Sequence, residues 1–171
     1  MTNIVAATVR LLETRSPQEI TLRDVADESG HGHRLIVEWF GGKGGLFAAV
    51  FTETFEHLRT SGELFYANVP LRNDVRIAFQ LFNYMQMHHR EYVESVRDTF
   101  VLETIQERLR NVAGLAEKDA DLVARRISVL TLGIALFADF FDLTEDEAIA
   151  MMQEEFRAMT GFTLPDRPPA S

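Results

Sequence analysis

The chain contains no cysteine. That excludes disulfides, thiolate nucleophiles and thiolate-held zinc, and it suits a reducing compartment. Positive charge is also short: 17 Lys and Arg stand against 26 Asp and Glu, a net charge of −9 over 171 residues. Such a chain is a poor general binder of anions, so any contact with nucleic acid must come from a local patch. Long hydrophobic runs are missing. The most apolar one, Ile127 to Phe141, is shorter than the roughly 20 residues a membrane helix needs, and Asp139 interrupts it. No basic segment precedes an apolar run near the start, as a secretory signal would require. No stretch alternates with period two long enough to be a strand. These absences lead to the expectation of a cytoplasmic, all-α protein with no membrane partner.

What remains is helical periodicity almost throughout. Ile4, Val5, Val9, Leu11 and Leu12 recur at helical spacing until "RSPQE" breaks the pattern. Thr21 caps a new start, Leu22, Val25 and Ala26 make one turn-spaced face, and Gly30 is a natural left-handed stop. Leu35, Ile36, Trp39 and Phe40 form the next short face. Helices are then expected over Leu46–Leu64, from Pro70 to Arg90, over Glu91–Arg97, Phe100–Val112 and Asp119–Phe141, and from Thr144, whose pairing with Glu147 is a capping box. The expected organisation is about nine helices. Residues 1–47 form a three-helix helix-turn-helix domain, 48–163 a helical ligand-binding and dimerisation domain, and 164–171 a mobile, proline-rich tail. Charge divides the same way: the first 47 residues are near neutral, and the remainder carries nearly all the negative charge.

The stretch "TLRDVADESGHGHRLIVEWFGGKGG" holds two short helices joined by a tight turn containing Gly, which is the helix-turn-helix pattern. The second helix, from about His33 to Phe40, would enter the DNA major groove N-terminal residues first. This accounts for the polar join: His31, His33 and Arg34 sit where side chains reach base edges or phosphates, and Gly32 stands at the N-cap. Two histidines at His-x-His spacing could also chelate, but no third ligand is near, and no metal or other cofactor is expected. His88 and His89 diverge by about 100° on a helix and do not share one ligand easily.

Over Ile4 to about Phe51 the sequence resembles the TetR/AcrR family of bacterial transcriptional regulators, through "IVAATVRLLE", "ITLRDVADESG" and "WFGGKGGLFAAVF". The resemblance implies that Thr21, Arg23 and Lys43 contact phosphates or the groove edge, and that His33, Arg34 and Trp39 lie on the recognition helix. The chain departs from the family pattern in four places. Val37 replaces a common Tyr, Glu38 adds a negative charge, Gly44 and Gly45 follow the lysine, and no basic arm precedes the first helix.

Two further sets of residues complete the expectation. Phe79, Phe82 and Met85, with Asn83, Gln86 and His89 as polar partners, are candidates to line an effector pocket. The chain's negative sign favours a largely apolar or aromatic, neutral or cationic ligand there. Ile127, Leu130, Ile134 and Phe137, with Met152 and Phe156, are candidates for a homodimer interface, because a helix apolar all round must be covered on several sides. No nucleophile–base pair is present, and "GGKGG" lacks the phosphate-loop spacing, so no enzyme is expected. The leading reading is a DNA-binding regulator, a repressor released from a palindromic operator on double-stranded DNA by a small apolar effector. The alternative is a sensor or protein-interaction module of the same fold with weakened or lost DNA binding.

Overall fold

The computed structural model describes residues 2–97 and 102–166, which form nine α-helices and no strand. They are α1 (Thr2–Leu12), α2 (Leu22–Ser29), α3 (His33–Phe40), α4 (Lys43–Ser61), α5 (Asn73–His88), α6 (Val93–Arg97), α7 (Leu102–Ala113), α8 (Glu117–Phe137) and α9 (Glu145–Thr160). Two compact units emerge, Met1–Glu56 with Ile77–Thr99, and His57–Arg76 with Phe100–Ser171. The expected boundary at residue 47 therefore falls inside α4, and the first unit extends past it to Glu56.

In the first unit, α1, α2 and α3 pack through Ile4, Val25 and Ile36, all fully buried. The adjoining part of α4 adds Leu46, Phe47 and Phe51, which are equally buried. Rings then interlock. Phe51 lies 5.6 Å from Phe82 and 4.6 Å from Phe55, and Phe55 lies edge-on to Phe79 at 5.4 Å. Aromatic pairs at these separations add about 0.5–1.5 kcal/mol each beyond the area they bury. Among the described residues no single helix is long and apolar enough to cross a membrane. The α3–α4 pair meets length and composition jointly, but it bends by 68° at the glycine break.

In the second unit, α7, α8 and α9 enclose Ile105, Leu109, Ala120, Val123, Ile134 and Met152. Arg72 ties the turns before α5 together, bonding Glu63 at 2.6 Å and Asp74 at 2.8 Å. Of the six expected dimer residues, Ile127, Ile134, Met152 and Phe156 are buried within this unit and so face its own core. Leu130 is half-buried, and Phe137 is exposed. The large apolar residues that do face outward on α8 and the turn after it are Leu122, Val129 (69% exposed), Phe137, Phe140 (78%) and Phe141. The helical period alternates the two faces of α8, and an all-apolar sequence hides which is which.

Several helix ends differ from expectation. Helix α4 starts at Lys43 rather than Leu46. Pro70 lies in a separate 3-10 turn, Val69–Leu71, and α5 starts only at Asn73. Helix α8 stops at Phe137, followed by a 3-10 turn over Asp139–Phe141 and Asp142 in the left-handed region at φ 51°. Phe100, the expected start of α7, lies outside the described residues. The tail is pinned where it begins. Leu164 is buried, and the Ala67 N–H donates to the Pro165 carbonyl at 2.8 Å. Residues 167–171 lie outside the described residues.

Two capping boxes, Thr21 with Asp24 and Thr144 with Glu147, start α2 and α9. The Thr21 hydroxyl and backbone N–H both donate to Asp24, which holds its carboxyl down at about 2. Hydrogen bonds from Thr144 lower Glu147 in the same way. A carboxylate depressed in the folded state adds stability above its unfolded pKa, and that stability is lost as pH falls. For Asp24 the window runs from about pH 4 down to about 2. Asp24→Asn should therefore melt below the parent at pH 7 and together with it near pH 2. A melting-temperature gap that persists at pH 2 would contradict this role. Thr21→Ala should cost about 1 kcal/mol.

Candidate nucleic-acid interface

Each end of the recognition segment is set by local chemistry. Gly30 ends α2 in the left-handed conformation (φ 70°), with its N–H on the Ala26 carbonyl. The His31 N–H donates to that same carbonyl at 3.2 Å. The His31 ring bonds the Ser29 carbonyl at 2.9 Å through Nδ1, which must carry the hydrogen because a carbonyl only accepts. The N-cap of α3 is Gly32, which has no side chain to cap the helix. It ends at Gly41 (φ 72°), whose N–H reaches the Val37 carbonyl. Between these ends Ile36 and Phe40, one turn apart, are buried, so the opposite face of α3 must point outward. Arg34, Val37 and Glu38 lie away from that buried side and are exposed, as is His33 in the open first turn, with Trp39 beside them at 44% exposure.

The glycines after α3 hold the helix in place. Gly44 is buried, and a Cβ added there would lie 2.7 Å from the Tyr92 ring and 2.8 Å from the His89 ring. A Cβ on Gly45 would run into the Phe40 carbonyl oxygen and come within 3.1 Å of Tyr92. The two glycines, which depart from the family pattern, let the end of α3, the start of α4 and the aromatic residues that follow α5 approach closely. Tyr92 and His89 carry this contact, and their spacing in the sequence gave no sign of it.

The six expected DNA contacts divide. His33, Arg34 and Trp39 face solvent on α3, and Arg23 does so on α2. Thr21 is engaged instead by the capping box. Lys43 turns inward: its ammonium sits 4.9 Å from the Tyr84 ring and 5.4 Å from the Phe47 ring, and it donates to the Gln18 carbonyl at 3.4 Å. A cation at a helix N-terminus opposes the dipole, and the ring faces offset that cost. Arg10 and Arg15 are neutralised by Glu28 at 2.7 Å and Asp24 at 3.3 Å. Arg23 and Arg34 remain as guanidiniums with no acidic partner among the described residues.

The candidate effector residues are likewise divided. Phe79 and Met85 are buried and Phe82 half-buried within the ring cluster, whereas Asn83 and Gln86 face solvent. His89 stacks beside Tyr84 and Tyr92, with Nδ1 3.5 Å from Glu91. Among the described residues no three His, Asp or Glu side chains are grouped to hold a metal.

Residues 4–50 match the family model described as bacterial regulatory proteins, tetR family. The N-terminal segment is thus a TetR-family helix-turn-helix domain. No curated protein matches the chain. Among solved structures, a TetR transcriptional regulator from Rhodococcus sp. RHA1 superposes with a TM-score of 0.62 at 14% identity, covering 92% of this chain and 93% of its own. A putative transcriptional regulator from Pseudomonas aeruginosa PAO1 gives 0.61 at 19% identity, over 94% and 89%. The TetR family repressor AlkX from Dietzia sp. strain DQ12-45-1b, implicated in biodegradation of n-alkanes, gives 0.51 at 15%, over 93% and 94%. At such identities these likenesses concern the fold alone.

The glycine join makes a signed prediction. Helix propensity alone favours Gly45→Ala by about 1 kcal/mol. The close approach to Phe40 reverses the sign, and the variant should lose about 1–3 kcal/mol or more. Gly32→Ser, with open space around it, should gain a few tenths of a kcal/mol by supplying the missing cap. Chemical denaturation measures both, and a stabilised Gly45→Ala would remove the join from its structural role.

Proposed function

From the TetR-family domain at residues 4–50, we propose that the chain is a DNA-binding transcriptional regulator that acts as a homodimer on a palindromic site. The observation that carries this reading is the exposed set of side chains on α3: His33, Arg34, Val37 and Trp39 are open to solvent on a helix anchored by Ile36 and Phe40. Arg34 lies in the first turn, where a recognition helix meets base edges, and its fork suits guanine. Arg23, free on α2, would serve a phosphate. The repressor named among the solved structures supports repression as the sign of regulation. A small effector would act by favouring a state in which the two recognition helices no longer match the half-site spacing.

Pairing would use the outward face of α8 with α9. Val129, Leu130 and Met151 line an open groove between these helices, and an Arg126–Glu155 bridge of 3.0 Å crosses it. A two-fold partner brings the same surface, so apolar side chains meet apolar ones and each rim offers both signs of charge. The alternative, a sensor or interaction module with lost DNA binding, draws support from Glu38 and Asp27 on the exposed faces and from the inward turn of Lys43.

Selection from fragmented genomic DNA decides between the two. The regulator reading expects an enriched palindrome with half-sites about one helical turn apart, near 10 base pairs. Arg34→Ala should then weaken binding by about 1–3 kcal/mol and relax one base position, while Arg23→Ala weakens all sites alike. Selection that enriches no sequence would favour the alternative. Val129→Asp replaces an exposed side chain and should spare the fold while splitting the dimer. Light scattering that shows the parent chain to be a monomer would dismiss this interface.

A further inference from the structure

The second unit carries a half-open cavity of 220 Å³ that the DNA-binding reading does not use, among the turn after α4, α7, the end of α9 and the segment that follows it. Its lining includes Phe65, Tyr66, Arg108, Leu109, Phe156 and Phe162. An apolar cavity of about 150 Å³ accommodates benzene, so this one has room for an aromatic ring and a few further atoms. The wall made by the last described residues is fixed. Gln153 Nε2 donates to the Leu164 carbonyl at 3.1 Å and to Asp166, and Pro165 is held by the Ala67 N–H. At the rim Val112 and Phe162 are left 62% and 47% exposed, so a ligand seated there would cover apolar surface that the protein leaves open.

The polar side of this cavity has one sign. Its lining contains no Asp or Glu. The Arg108 guanidinium stacks 4.5 Å from the Phe65 ring and has no carboxylate partner among the described residues. Arg157 approaches the same wall, donating through Nε to the Thr163 hydroxyl at 3.2 Å. The net charge of the chain suggests a neutral or cationic ligand, but the potential inside a cleft is governed by its nearest charges, and the charged side chain lining this one is the Arg108 guanidinium, while the Asp166 carboxylate beyond the wall is engaged by Gln153.

We propose that this cavity binds a small aromatic carboxylate, its ring between Phe65, Leu109 and Phe156 and its carboxylate on Arg108. A planar guanidinium already oriented by an aromatic face is well suited to a planar carboxylate. The site needs only this unit's own residues and is measured without DNA, so its failure leaves the operator reading untouched.

Benzoate and its neutral isostere benzamide are the probes, titrated calorimetrically into the full chain. Benzoate should bind at least roughly tenfold tighter than benzamide, the advantage of a charge-assisted hydrogen bond. Arg108→Gln, at an exposed position, should bring benzoate down to the level of benzamide and leave benzamide unchanged. Ala113→Met, which fills the cavity, should weaken both ligands. Absence of binding by either probe, equal affinities in the parent protein, or a preference for benzoate that survives Arg108→Gln would overturn the proposal.

Discussion

The geometry of the first unit depends on one close approach. The backbone between α3 and α4 lies so near Phe40 and Tyr92 that Gly45 has no room for a side chain, and Gly44 meets the rings of Tyr92 and His89. Glycine weakens a helix, yet here two of them open α4. Their helix-propensity cost is small beside that of a side chain that cannot fit. The approach sets the 68° bend between α3 and α4. It also presents the aromatic residues at the end of α5 to the base of the recognition helix, with Lys43 held over Tyr84 as a further fastening. The orientation of α3, and hence which side chains face outward, follows from that join.

The charges of this unit serve two different ends. Arg10, Arg15 and Asp24 are occupied in holding α1 and α2 together, and the Thr21 hydroxyl is occupied by its own cap. Arg23 and Arg34 have no such internal duty. In a chain of net charge −9, binding to a polyanion rests on few residues, so few counterions are released and the affinity should fall only shallowly with salt. The same distinction between global and local charge applies in the second unit, where Arg108 lines a cleft in an acidic body.

Much of the fold is written in local pattern. Thr21 with Asp24 and Thr144 with Glu147 announce helix starts by hydrogen bonds that span only three residues, and Gly30 announces a stop by its left-handed backbone. Ile36 and Phe40 mark the inner face of α3 by their spacing alone. Legibility fails where a distant residue decides. Gly44 and Gly45 resemble helix breakers until Tyr92 and the Phe40 carbonyl are placed against them. Lys43 resembles a phosphate ligand until Tyr84, far along the chain, supplies a face for its ammonium. On α8, uniform hydrophobicity conceals that Ile127 and Ile134 serve their own unit while Val129 and Phe137 stand outside it. A ring stripe such as that on α5 is more often core than pocket, and the structure packs Phe79 and Phe82 against Phe55 and Phe51.

The outward face of α3 carries the chain's single tryptophan, so its role is open to direct observation. Trp39 is 44% exposed and lies within 6.3 Å of the His31 ring. Acrylamide quenching of its fluorescence, measured with and without the DNA that the chain selects, tests whether this face meets the duplex. Selected DNA should shield Trp39 and lower the quenching constant, and the shielding should be lost with Arg34→Ala at the same salt. DNA that binds the chain tightly while Trp39 remains as accessible as in the free protein would contradict this role.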